Sequence, residues 1–437
     1  MSRLFISSDT ARSRMENFMN LAAIIAEYNP LHNGHSWHIA ETKQVTGADG
    51  IIVLLSGCFV QRGEPAIYDK YLRTRTALLA GADVVLELPT VSACGSAEYF
   101  ADGAIRILNG LGCVSRLSFG CETDDLATLQ QLVSFLAEES SSYKQELRDA
   151  LASGLSFAAA REQAVRTCLG EQFTPAMQTL LSSPNSTLAL EYLLALHRTH
   201  SRIQPFLVKR NGSGYSDAAI SEGQMASATA LRRAILLQSS AIQAPDSQTA
   251  PFSVVSEQMP ADCAAFLKHT NARPLFPEDA SVLLQDRLAH LSEDIFDFSP
   301  ELQARMRANL RTFHSWSEWC DLLKTRQYTY TRISRALCHA LLDLRESEIA
   351  TFRADPNCCY GRILGLKKGS AVPAQLKKSS SIPLITKLAD VSKAGLSGNA
   401  QTQLSIDIEA RNLYRLIYWQ KYRETLPDEY QSGIIIE

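Results

Sequence analysis

At 437 residues, 46% of them hydrophobic and 20% charged with a net charge of −3, the chain has the make-up of a globular protein too long for one hydrophobic core. Its longest apolar runs have strand length, far short of the roughly 20 residues that span a bilayer, which argues against a membrane protein. Ten cysteines without a CxxC pair or a histidine at ligand spacing read as reduced thiols of a cytoplasmic protein, so no structural metal site is expected.

Residues 1–20 carry basic charge but no continuous apolar stretch or small-residue cleavage site, and read as a disordered N-terminal extension rather than a secretory signal. Leu21 to Ala26 is an unbroken apolar run that ends in a turn containing Asn29, Pro30, Asn33 and Gly34, with a helix to follow. The pattern then repeats. Gly50 to Leu55, Asp83 to Leu88 and Ser115 to Phe119 predict strands, and Tyr68 to Ala80 and Ser96 to Leu108 predict the helices between them. Strands without alternation, separated by helices, predict an α/β fold with a Rossmann-like parallel sheet covered on both faces. Ligands of such sheets bind at the carboxyl ends of the strands, so the loops after Ala26, Leu55, Leu88 and Phe119 are expected to converge.

From Asp124 to about Thr199 the pattern is helical, and Phe206 to Lys209 predicts a last strand before a glycine-bearing loop, Arg210 to Tyr215. The expected division is a sheet domain over residues 21–238, a Ser-, Gln- and Pro-rich linker over 239–251, and a mostly helical domain over 252–437. Charge is unevenly spread along the chain. Lys and Arg outnumber Asp and Glu by 20 to 14 over residues 301–437 and fall short by 23 to 32 before them, which suggests a polyanionic partner for the basic third.

The first strand runs directly into Glu27-Tyr28-Asn29-Pro30-Leu31-His32-Asn33-Gly34-His35, placing two histidines either side of a glycine at the mouth of a helix. Backbone N–H groups at a helix start favour anions, the glycine admits a close approach, and paired imidazoles can donate to phosphate oxygens as charge builds on phosphorus. An isolated HxGH also suits a turn whose histidines merely satisfy the backbone; the preceding strand and following helix favour the phosphate reading. Ser227-Ala228-Thr229-Ala230-Leu231-Arg232 is a hydroxyl-rich helix start with an arginine one turn in. Its hydroxyls can cap the helix or bind phosphate, and Arg232 can stabilise departing pyrophosphate. Arg62, in the loop after the second strand, can meet a carboxylate or phosphate in the crevice or remain solvated.

The motifs AEYNPLHNGH, SGCFVQRGEPAIYDK, GADVVLELP, SAEYFADGA, FGCE, SPNSTLALEY, RNGSGYSD and SATALR, with TRQYTYTRISRAL and GRILGLKKG more weakly, stand in order through residues 21–370. Together they resemble the tRNA(Met) cytidine acetate ligases, a family within the HxGH nucleotidylyltransferases. The resemblance implies an enzyme that uses ATP and acetate to make N4-acetylcytidine at the wobble position of elongator tRNA(Met). It implies an ATP-binding segment from Ile25 and Ala26 through the HxGH turn to Ser36, Trp37 and His38, completed by Gly120, Asn185 and Arg210; the phosphate reading of the residues adds Ser227 and Thr229 and expects His32, His35 and Arg232 to be catalytic. Magnesium is expected to be held by the ATP phosphates. Cys58, Cys121 and Ser216 depart from the family pattern, which has Asn, Ser and His there.

The segment containing Lys324, Arg326, Tyr328, Arg332 and Arg335 interleaves cations with aromatics, a mixture that neutralises RNA phosphates and stacks on unpaired bases. At helical spacing Arg332 and Arg335 also suit a solvated helix face. Two other readings stay open: a different HxGH enzyme acting on a small molecule without RNA, and a non-catalytic protein that binds ATP or RNA.

Overall fold

A computed structural model describes residues 19–122, 125–209, 226–241 and 255–437. The apolar runs form strands β1 (Leu21–Ala26) and β2 (Gly50–Ser56); a small antiparallel hairpin of β3 (Phe59–Val60) and β4 (Glu64–Pro65) follows, and then β5 (Val84–Leu88), β6 (Val114–Cys121) and β7 (Gln204–Lys209). The five longer strands run parallel in the order β5-β2-β1-β6-β7. Helices make the crossovers: Asn33–Thr46, Lys70–Leu79 and Ala97–Leu111, then a run from Leu126–Glu138 to Pro184–Arg198 before β7. Strand order reverses between β1 and β6, so their crossovers leave in opposite directions and a crevice opens above their carboxyl ends.

Burial on both faces explains why these strands do not alternate apolar with polar. Ile51, Val53 and Leu55 of β2 face one apolar cluster with Ile39, Ala77 and Leu78, whereas Ile52 and Leu54 face another with Phe100, Ala104 and Leu193. Each fully buried aliphatic side chain stabilises the fold by about 1.5–3 kcal/mol.

The second half of the chain contributes to the same sheet. β8 (Gly361–Leu366) pairs antiparallel with β5, and β9 (Leu384–Ile385) and β10 (Ile435–Ile436) each pair with β8. The sheet is thus not confined to residues 21–238. At the expected linker, the helix Ala228–Ala241 continues across residues 239–241, and residues 242–251 lie outside those described. Between these points the helices Trp316–Leu323, Tyr330–Leu342 and Gly398–Tyr422 enclose a core of their own around Trp316, Trp319, Leu337 and Tyr414.

Buried charges tie the halves together. Lys70 Nζ lies 2.7 Å from Glu87 Oε1 and also contacts Glu429, while Arg362 of β8 lies 3.2 Å from Glu87 Oε2 and 2.5 Å from Glu429 Oε2. Among the described residues, no helix is long and apolar enough to cross a membrane.

Candidate active site

His32 is the N-cap of the helix Asn33–Thr46, and its imidazole closes the turn in a way that defines its chemistry. Its Nδ1 accepts the Gly34 N–H at 3.1 Å, and His35 Nδ1 accepts the His32 N–H at 3.3 Å, a reciprocal capping box built from two histidines. A ring nitrogen that accepts carries no hydrogen, so in each neutral imidazole the hydrogen sits on Nε2. The rings lie 3.8 Å apart between centroids and 31° from parallel, with Tyr28 5.0 Å from His35. Two Nε2–H donors therefore stand side by side at a helix N-terminus, a site suited to phosphate oxygens.

Both histidines line a cavity of about 250 Å³ at the strand-order reversal. Of the residues expected around the nucleotide, Ile25, Ala26, Glu27, Tyr28, Asn29, Gly34, Trp37, His38, Gly120, Asn185, Ser227, Thr229 and Arg232 also line it. Pro30, Leu31, Asn33 and Ser36 do not belong to its lining. Leu31 packs into the apolar cluster with Ile39, and Asn33 Nδ2 turns outward to donate to the Glu257 carbonyl at 3.1 Å. Both positions shape the turn, whose side chains cannot all face one side. Arg210, and with it Ser216, lies outside the described residues.

Opposite the histidines the helix Ala228–Ala241 begins with Ser227, whose Oγ accepts the Ala230 N–H at 3.1 Å. The capping reading of this serine holds, and it lines the cavity as well. Arg232 donates from Nη1 to the Asn29 carbonyl at 2.8 Å and from Nη2 to Thr229 Oγ1 at 3.4 Å, with Nε 3.6 Å from Glu64 Oε1. Arg62, at the turn between β3 and β4, donates to the same Thr229 Oγ1 at 3.2 Å. Between them Glu27 Oε1 accepts the Gln61 N–H at 2.7 Å. Burial pushes the Glu27 carboxyl above its ordinary range, against the pull of that N–H and of Arg232 and Arg62.

On the far wall Asn185 Nδ2 donates to Glu122 Oε1, and Ser186 Oγ to Glu122 Oε2, each at 2.7 Å. His38 Nε2 lies 2.8 Å from Ser118 Oγ, fixing the helix Asn33–Thr46 against β6. Sequence reasoning missed the apolar wall of Phe100, Phe119, Leu188 and Tyr192, because hydrophobic periodicity assigns such residues to the core. It also missed Arg73, a buried guanidinium that donates to the carbonyls of Tyr68 at 2.9 Å, Glu27 at 2.7 Å, Ser56 at 3.0 Å and Gly57. Arg73 thereby holds the ends of β1 and β2 at the cavity.

The basic segment divides. Lys324 and Arg326 are exposed. Tyr328, expected as a base-stacking platform, is instead 4% exposed, with its hydroxyl 2.7 Å from Ser299 Oγ and 3.3 Å from Glu301 Oε2. Its ring packs into the helical core beneath the Arg332 guanidinium, which also pairs with Asp297 at 3.2 Å. Arg335 lies half-buried, its backbone packed against Gly63.

Comparison with known proteins places this arrangement. The HIGH Nucleotidyl Transferase family matches residues 19–428. A tRNA(Met) cytidine acetate ligase of Acetivibrio thermocellus is 36% identical over 96% of this chain and 100% of its own length, and one of Clostridium perfringens is 34% identical over 91% and 96%. The crystal structure of apo Thermotoga maritima TmcAL superposes with a TM-score of 0.86 at 26% identity, covering 96% of this chain and 99% of that one. The same protein bound with alpha-thio ATP gives 0.84 at 26% identity, covering 96% and 100%. Matched by the family over residues 19–428 and by these relatives over nearly their whole length, this chain belongs to the tRNA(Met) cytidine acetate ligase family of HIGH nucleotidyl transferases.

Proposed function

We propose that the chain is an ATP-dependent ligase that joins acetate to the exocyclic amine of the wobble cytidine of elongator tRNA(Met). The observation that carries the first step is the pair of capped histidines, whose Nε2–H groups stand at a helix start in a cavity that also holds Arg232. An acetate oxygen attacks the α-phosphorus of ATP, the bond to the β-phosphate breaks, and pyrophosphate leaves with the electron pair. His32 and His35 donate to the phosphoryl oxygens as charge grows on them, and Arg232 stabilises the departing pyrophosphate. In the second step the cytidine amine attacks the acetyl carbonyl, AMP leaves, and the amine loses a proton.

The apolar wall of Phe119, Leu188 and Tyr192 offers a surface for the adenosine. Magnesium enters as an ion carried mainly on the ATP phosphates, as this ion commonly is in nucleotidyl transfer. The tRNA reading is supported by the names of the relatives and by exposed Lys324 and Arg326. Arg332 and Arg335 contribute positive charge to the same region from half-buried positions.

The first step is tested by exchange of labelled pyrophosphate into ATP without tRNA. Exchange that appears only when acetate is added is the expected result. Exchange that ignores acetate assigns the site to another nucleotidylyl transfer, and binding of ATP without exchange assigns it to a non-catalytic role.

A further inference from the structure

The first step brings two anions to one phosphorus, the triphosphate and the incoming carboxylate, so the triphosphate's cation alone leaves the acid without a partner. The cavity holds two guanidinium groups that meet at Thr229 Oγ1 from different elements. Arg232 is bound to the Asn29 carbonyl, at the turn that carries the histidines. Arg62 comes from the turn between β3 and β4, which is fixed to the helical half of the chain. That turn closes with the Gly63 N–H on the Val60 carbonyl at 2.8 Å, and Ser334 Oγ donates to the Gly63 carbonyl at 2.8 Å. Gly63 has φ +73°, and a Cβ there would lie 2.3 Å from the Arg335 backbone, so the contact with the helix Tyr330–Leu342 requires glycine. On the other side of Arg62, the Gln61 N–H is held by Glu27.

We propose that Arg62 binds the carboxylate of the acid substrate, and that the turn of residues 61–63, pinned between Glu27 and Ser334, sets its position relative to His32 and His35. The inference rests on the reading of the chain as an acid-activating ligase. A planar guanidinium meets a carboxylate through two parallel hydrogen bonds, which an ammonium cannot reproduce. Glu27 and Glu64 flank the two arginines.

The test measures acetate-dependent pyrophosphate exchange by the full chain and by Arg62→Lys, Arg62→Gln and Ser334→Ala. Loss of a hydrogen-bonded charge pair predicts that both Arg62 variants raise the KM for acetate about 10- to 100-fold while the KM for ATP stays within about twofold. Ser334→Ala, which removes the hold on the turn and also the acceptor of the Trp316 Nε1–H inside the helical core, raises the KM for acetate by about two- to tenfold with the same ATP dependence, whereas its loss of the core contact is read separately as a lowered melting temperature. An unchanged KM for acetate in the Arg62 variants overturns the proposal, as does an equal rise in the KM for ATP, which assigns Arg62 to the triphosphate. An unchanged Ser334→Ala overturns the positioning role of the turn. A wild-type chain whose exchange ignores acetate removes the ligase reading and this inference with it, a result distinct from acetate-dependent exchange that survives in Arg62→Gln.

Discussion

Replacing His35 by alanine lowers acetate-dependent pyrophosphate exchange by about 10²–10³-fold, the effect of removing one preorganised donor from a developing anion. The substitution also removes the acceptor for the His32 N–H, costing about 0.5–2 kcal/mol of helix capping, so alanine alone does not separate chemistry from folding. His35→Gln does. Glutamine at the third helical position can reach back to the N-cap N–H as in an ordinary capping box, yet it presents no imidazole Nε2–H to the phosphate. The expected result is a melting temperature close to wild type with exchange still reduced at least about tenfold. Near-wild-type exchange in His35→Gln would mean that the histidine only closes the turn.

Arg73→Met is expected to have the largest effect on stability. The guanidinium is 1% exposed, and its hydrogen bonds reach carbonyls at the end of β1, at the end of β2 and in the loop before the helix Lys70–Leu79. Methionine fills similar space but leaves those buried acceptors without their donor, a loss of about 3–5 kcal/mol. Urea denaturation of the two proteins measures it, and a difference below about 1 kcal/mol would show that the carbonyls find other donors. Because the Glu27 carbonyl is one of the four, Arg73→Met is also expected to loosen the HxGH turn and weaken ATP binding.

The parallel sheet was legible in the sequence because its strands are buried on both faces and so appear as unbroken runs such as GIIVLL and VVLEL. β8 was not. Its segment, GRILGL, is interrupted by Arg362, whose charge is buried against Glu87 and Glu429, residues that lie far apart in the chain. Nothing local shows that such a charge is compensated. The same limit applies at the site. The HxGH turn and Arg232 declare themselves by local pattern, whereas Phe119 and Tyr192 look like any core aromatics and become a cavity wall only because strand order reverses beside them. Tyr328 errs in the other direction: a tyrosine among arginines resembles an RNA platform, but Ser299 and Glu301 receive its hydroxyl inside the helical core.

Transfer of label from [14C]acetate to an elongator tRNA(Met) transcript in the presence of ATP, set against a transcript lacking the wobble cytidine, tests the acceptor itself. Label is expected on the first transcript alone, dependent on ATP and lost in His35→Ala. Label on both transcripts, or on neither while ATP is consumed with acetate, would contradict the assignment of the wobble cytidine as the acceptor.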